Sequence, residues 1–180
     1  MGEGRATVLL HPVRLRIVQA ALGRQVTTAM LAAALPDVPT ASLYRHVSAL
    51  LDAGVLEVVA ERAVRGAQER TLQVALTAAV LGAEDVADLT TEQHLDGVTA
   101  FLAGVLQAAS DYLSAPGSDP ARDGFGYRQV ALWADEEELA SLTASLREVL
   151  TAAAGRAPGQ GRRRRVLTTV LLPDPDPEAG

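Results

Sequence analysis

The sequence contains no cysteine. Disulfides, thiolate zinc sites and cysteine catalysis are thereby excluded, and redox compartment has to be judged from other features. No apolar run approaches the about 18 residues expected of a membrane span. The N-terminus also lacks the charged region, apolar stretch and cleavage site of a secretory leader. The chain therefore reads as cytoplasmic, with no membrane partner. No phosphate loop, nucleophile elbow or paired catalytic constellation is visible, so the expectation is a non-enzyme with no catalytic residue and no cofactor. His11, His46 and His94 are scattered in sequence without ligand spacing. Glu92 and Asp96 lie two residues from His94, off its helical face, so no metal site is expected. Lysine is missing too: all 16 basic residues are arginine, which with abundant alanine suggests a GC-rich genome rather than a function.

What is present is a globular composition, 180 residues with 48% hydrophobic and 21% charged, enough for one large or two small domains. A net charge of -6 argues at first against nucleic acid, because affinity for DNA comes largely from neutralising phosphates. The distribution says otherwise. Residues 1–76 hold eight arginines against six acids, net +2, and the remainder holds eight against sixteen, net -8. A slightly basic front and an acidic back fit a DNA reader carrying a separate regulatory or dimerisation module.

Residues 27–74 have the parts of a winged helix-turn-helix. Residues 1–10 read as a poorly ordered lead-in, with 7–10 open to adding a short strand or packing beside a partner subunit. His11-Pro12 opens a first helix buried through Leu15, Ile17, Val18, Ala21 and Leu22, with Arg14 and Arg16 turned outward towards phosphates or nearby acids. Thr27 caps a second helix packed through Met30, Leu31, Ala34 and Leu35. Pro36 and Pro39 then force a turn, since each lacks an N–H and disfavours helix in the residue before it. In the third helix Leu43, Val47, Leu50 and Leu51 line one side at i, i+4, i+7 and i+8, and Gly54 is placed as a left-handed stop. The opposite side carries Thr40, Ser42, Tyr44, Arg45 and Ser48, donors suited to base edges and phosphates. Two β-prone runs, 55–62 and 68–74, follow as a hairpin turning at Gly66, with Arg62, Arg65 and Arg70 at or near its tip as phosphate or minor-groove contacts.

The strings Leu43-Tyr44-Arg45-His46-Val47, Leu50-Leu51-Asp52-Ala53-Gly54-Val55-Leu56 and Arg65-Gly66-Ala67-Gln68-Glu69-Arg70, with His11-Pro12-Val13-Arg14-Leu15-Arg16-Ile17 ahead of them, resemble ArsR-like transcriptional regulators. The similarity is greatest to the cysteine-free branch common in actinobacteria, and covers roughly residues 8–76. It implies a homodimer that binds operator DNA and usually represses. Leu72 stands where related wings often carry an aromatic residue. The missing thiolates remove the reason to invoke the metal sensing of part of that family.

Beyond residue 76 the sequence predicts a helix-strand-helix-strand module with its two strands antiparallel. A short helix at 83–87 precedes a long one, roughly 90–114, started by Thr90 and Gln93 and bearing a broad apolar face that needs a partner, such as the same helix of a second subunit. Residues 115–126 read as loop and 127–133 alternate like a strand. Asp135 caps a helix with Glu136, Glu137 and Glu138 in its first turn, which explains these acids better than acid–base chemistry does. Its Leu139, Leu142, Leu146, Val149 and Leu150 are expected to face inwards. Arg162, Arg163, Arg164 and Arg165 lead into a last strand at 166–172, as a solvated charge run or a second DNA contact.

The expected fold is therefore α+β, mainly α: a winged helix-turn-helix DNA-binding domain at 1–76 and a dimerisation and effector-binding domain at 77–180. The expected function is a DNA-binding transcriptional regulator, a repressor reading double-stranded DNA as a homodimer under a small-molecule effector. The alternative is a protein-interaction winged helix without DNA affinity.

Overall fold

The computed structural model describes residues 5–64, 67–75, 80–156 and 158–173. It is mixed α and β, mainly helical, with a three-stranded antiparallel sheet beside the helix-turn-helix. In order the elements are α1 (Arg5–Leu9), α2 (Pro12–Ala21), β1 (Val26–Thr27), α3 (Thr28–Ala34), α4 (Thr40–Asp52), β2 (Leu56–Val64), β3 (Ala67–Val74), α5 (Ala83–Val86), α6 (Thr91–Ser114), α7 (Pro120–Asp123) and α8 (Glu136–Ala154).

Local chemistry sets most of these boundaries. His11 Nδ1 accepts the Val13 N–H at 3.2 Å to start α2, and Thr27 Oγ1 accepts that of Met30 at 3.3 Å to start α3. Helix α4 ends in a Schellman motif: Gly54 at φ +67° donates to the Leu51 carbonyl, and Val55 N–H reaches the Leu50 carbonyl at 2.8 Å. Reciprocal capping boxes open α6 (Thr90 and Gln93) and α8 (Asp135 and Glu138).

The core lies in the first half of the chain. Ile17 and Ala21 of α2, Leu31 of α3, Leu43 and Leu50 of α4, and Val55, Leu56 and Leu72 of the hairpin pack into one buried cluster. Strand β3 is central, pairing β2 on one side and β1 on the other, with Val26 opposite Leu72 and Thr27 opposite Thr71. Leu72 is thus held between two strands without needing an aromatic ring there. The β2–β3 register shifts between Val58 and Ala60, a bulge that bends the wing.

Several expectations are corrected. From Arg5 onwards the lead-in is helical rather than a strand, α1 being held by Ala6, Val8 and Leu9, which are buried against the core; residues 1–4 lie outside the described residues. Met30 and Ala34 are exposed, and α3 reaches the core through Leu31, with Leu35 buried just beyond it. Strand β1 was not anticipated, and α7 occupies part of the expected loop, capped by Asp119 and stopped by Gly124 at φ +73°. Residues 127–133 and 166–172 are not strands. Both runs are exposed and neither has a ladder partner among the described residues, the condition a strand cannot do without. Helix α8 has no buried residue, so its apolar stripe does not face inwards within one chain.

Helix α6 packs against α2, and Ala100 and Phe101 join the edge of the core. Gly97 is buried there: a Cβ would stand 2.9 Å from Leu10 Cδ1 and 3.3 Å from Leu10 Cβ. Leu95, Leu102, Leu106 and Leu113 form a second apolar stripe on α6 that stays exposed. The C-terminal stretch is tied back by Arg164, whose Nε donates to the Leu22 carbonyl at 2.8 Å just beyond α2.

Candidate nucleic-acid interface

Helix α4 has two chemically distinct sides. Leu43 and Leu50 are fully buried and Val47 nearly so, which fixes the helix rotationally against α2, α3 and the sheet. Thr40, Tyr44, Arg45 and Ser48 are exposed on the other side, Tyr44 at 59%, while Ser42 is half-buried and its Oγ accepts from Arg45 Nη2 at 3.3 Å. The turn ahead of α4 is braced from α2: Arg16 donates to both carboxylate oxygens of Asp37 at 2.7 Å. Of the two outward arginines of α2, Arg16 thus pairs with an acid. Arg14 Nη1 donates to the Val8 carbonyl at 3.1 Å, joining α2 to α1.

The wing carries its own charge pairing. Arg70 Nε meets Glu61 Oε1 at 3.0 Å, and Arg62 sits opposite Glu69 in the ladder. Arg62 and Arg70 are exposed, and Arg65, with Gly66, lies outside the described residues. The hairpin is longer than the sequence suggested, since Val64 pairs with Ala67 and both strands run almost to the connection.

Two histidines that looked unrelated in sequence meet here. The rings of His11, at the start of α2, and His46, on α4, have centroids 4.7 Å apart. Burial lowers the His46 pKa from the ordinary histidine value, and the positive charges of His11, Arg14 and Arg45 lower it further. The signal that could have exposed this pair is the place of His46 three residues after buried Leu43, on the border of the packed stripe. Among the described residues no group of three or more His, Asp or Glu could hold a metal ion.

The Arg162–Arg165 run is not simply solvated. Besides Arg164 on the end of α2, Arg163 Nη1 pairs with Asp123 of α7 at 3.0 Å, and burial together with the charge of Arg24 lowers the Arg164 pKa.

A buried-backed helix following a tight turn, with a β-hairpin behind it, is the winged helix-turn-helix architecture. In agreement, residues 9–59 match a family model described as a helix-turn-helix domain, the kind of domain found in DNA-binding regulators. Against curated proteins the chain finds no match. No helix among the described residues is long and apolar enough to cross a membrane.

Proposed function

We propose that the protein is a cytoplasmic transcriptional regulator of the ArsR-like type, a repressor that reads operator DNA as a homodimer. Residues 1–76 form the DNA-binding domain, and residues 77–180 supply dimerisation and the response to a small-molecule effector. The observation that carries this reading is the exposed Tyr44–Arg45 flank of a helix whose other side is locked into the core. Tyr44, Arg45, Ser42 and Thr40 meet base edges and the nearest phosphates, while Arg62, Arg65 and Arg70 follow the backbone from the wing. Two copies of α4 enter successive major grooves about 34 Å apart. An effector acts by binding better to a dimer whose readers are wrongly spaced, which lowers operator affinity.

Gel-shift titration against the DNA upstream of the chain's own gene, repeated across a salt series, tests the reading. A DNA reader loses affinity steeply as salt rises, and Arg45→Ala removes sequence preference. Salt-independent or absent binding points instead to a protein-interaction winged helix. A thermal-shift screen of metabolites that finds no stabilising compound counts against the effector.

A further inference from the structure

Two runs with the alternation of a strand, 127–133 and 166–172, belong to no sheet among the described residues. Residues 127–133 and 166–172 make no backbone–backbone hydrogen bond with any described residue. The first carries Tyr127, Val130, Leu132 and Trp133, the second consists wholly of β-branched residues and leucine, and both are exposed along their whole length. Tyr127 is 87% exposed and Trp133 82%. With Val130, Leu167, Leu171 and the stripe on α8, they leave a broad run of large apolar side chains uncovered. Unpaired backbone flanked by apolar side chains is a template for strand addition.

The charge pattern favours one orientation. Run 127–133 is followed by the acids Asp135, Glu136, Glu137 and Glu138, and run 166–172 is preceded by the arginines 162–165, of which Arg163 already pairs with Asp123 and Arg164 with the Leu22 carbonyl. Antiparallel alignment lays the acidic end of the first beside the basic start of the second, whereas parallel alignment separates them. Within one chain the runs are joined through helix α8, a crossover that favours parallel strands. Their starts also lie near the same short helix: Tyr127 packs edge-on against Phe125 just after α7, and Arg163 pairs with Asp123 in it. Charge-matched antiparallel pairing is therefore readily supplied by another copy.

We propose that residues 127–133 of one copy pair as an antiparallel strand with residues 166–172 of a second copy, so that the dimer is closed by exchanged strands. This rests on the homodimer reading above and specifies its contact. Residue 133 opposite 166 places Ala131 across from Thr168.

The absence of cysteine makes the test direct. Ala131→Cys and Thr168→Cys chains, one of them carrying a size tag, are mixed, refolded together and mildly oxidised, with Ala33→Cys on exposed α3 as the control. The expected result is a mixed disulfide at the combined mass of the two chains, several-fold above any cross-link to the control. The inference is overturned if mixed cross-linking stays at the control level, or if the Ala131→Cys, Thr168→Cys double variant closes its disulfide inside one chain and sediments as a monomer. The gel shift is read on the same preparations. Operator binding without the mixed disulfide removes this inference and leaves the DNA reading intact; the disulfide without operator binding does the reverse.

Discussion

Arg16 holds Asp37 through two guanidinium nitrogens, each 2.7 Å from a carboxylate oxygen, and so joins α2 to the turn that launches α4. The hydrogen bonds to Arg16 are the main reason the Asp37 pKa falls below the ordinary carboxylate value. A carboxylate lowered in the folded state contributes stability above its unfolded pKa and loses it as pH falls through the folded value. Acid titration of the melting temperature should therefore show a smaller drop below about pH 4 for Asp37→Asn than for the parent protein. The pair is exposed and screened, so the same substitution should matter less in high salt.

The two sides of α4 should separate stability from recognition. Leu50→Ala empties a fully buried site and should cost about 2–5 kcal/mol in urea unfolding. Tyr44→Ala, on the exposed side, should change stability by no more than about 0.5 kcal/mol, yet weaken operator binding by about tenfold or more. A Tyr44→Ala protein that binds its operator unchanged would remove that residue from the interface.

Gly54 adopts φ +67° at the end of α4, and no heavy atom would lie within 4 Å of an added Cβ. The cost of Gly54→Ala is therefore backbone strain rather than a clash, about 1–2 kcal/mol. Denaturant midpoints should show this loss without a change in slope. Gly97→Val tests the opposite case, in which the backbone is relaxed and Leu10 stands in the way. Overpacking the α6 contact should cost about 1–3 kcal/mol.

The features legible in the sequence were those whose cause lies within a few residues. Thr90 with Gln93, Asp135 with Glu138, the prolines before α4 and Gly54 after it each mark an end by local hydrogen bonding or backbone conformation. The polar flank of α4 was readable for the same reason: 3.6-residue periodicity fixes which side is left over once Leu43, Val47 and Leu50 are buried. Long-range causes left no such trace. Val26 and Thr27 are a strand only because Leu72 and Thr71 lie beside them, and His11 meets His46 only because α1, α2 and α4 converge. The alternation at 127–133 and 166–172 was visible, but alternation states that a run could enter a sheet, not where its partner is. Likewise the stripe on α8 was visible, yet no residue of that helix is buried.

His46 offers a pH prediction of opposite chemistry to Asp37 but the same direction in acid. Burial, then the charges of His11, Arg14 and Arg45, place its pKa below the ordinary value, so the folded protein binds that proton less readily than the unfolded chain. Stability tied to the neutral ring is complete above the unfolded histidine pKa and declines as pH falls through the folded one. Between about pH 7 and 5, His46→Gln should show a flatter loss of melting temperature than the parent. If the two profiles fall in parallel, the ring pair carries no linked proton.

Arg164 lies 142 residues from Leu22, yet donates to its carbonyl at 2.8 Å, with Nη2 3.5 Å from the Gln19 carbonyl. These oxygens belong to the end of α2, where the helix dipole is negative and carbonyls lack intrahelical donors. The guanidinium therefore closes a helix and at the same time anchors the segment leading to 166–172. Arg164→Ala should raise amide exchange in the last turn of α2 and through residues 162–165, and leave α3 and α4 unchanged. Arg164→Lys should restore part of that protection, because an ammonium still complements the helix end but cannot present two nitrogens to two carbonyls in one plane. Protection unaffected by either substitution would show that the C-terminal segment is held by other contacts.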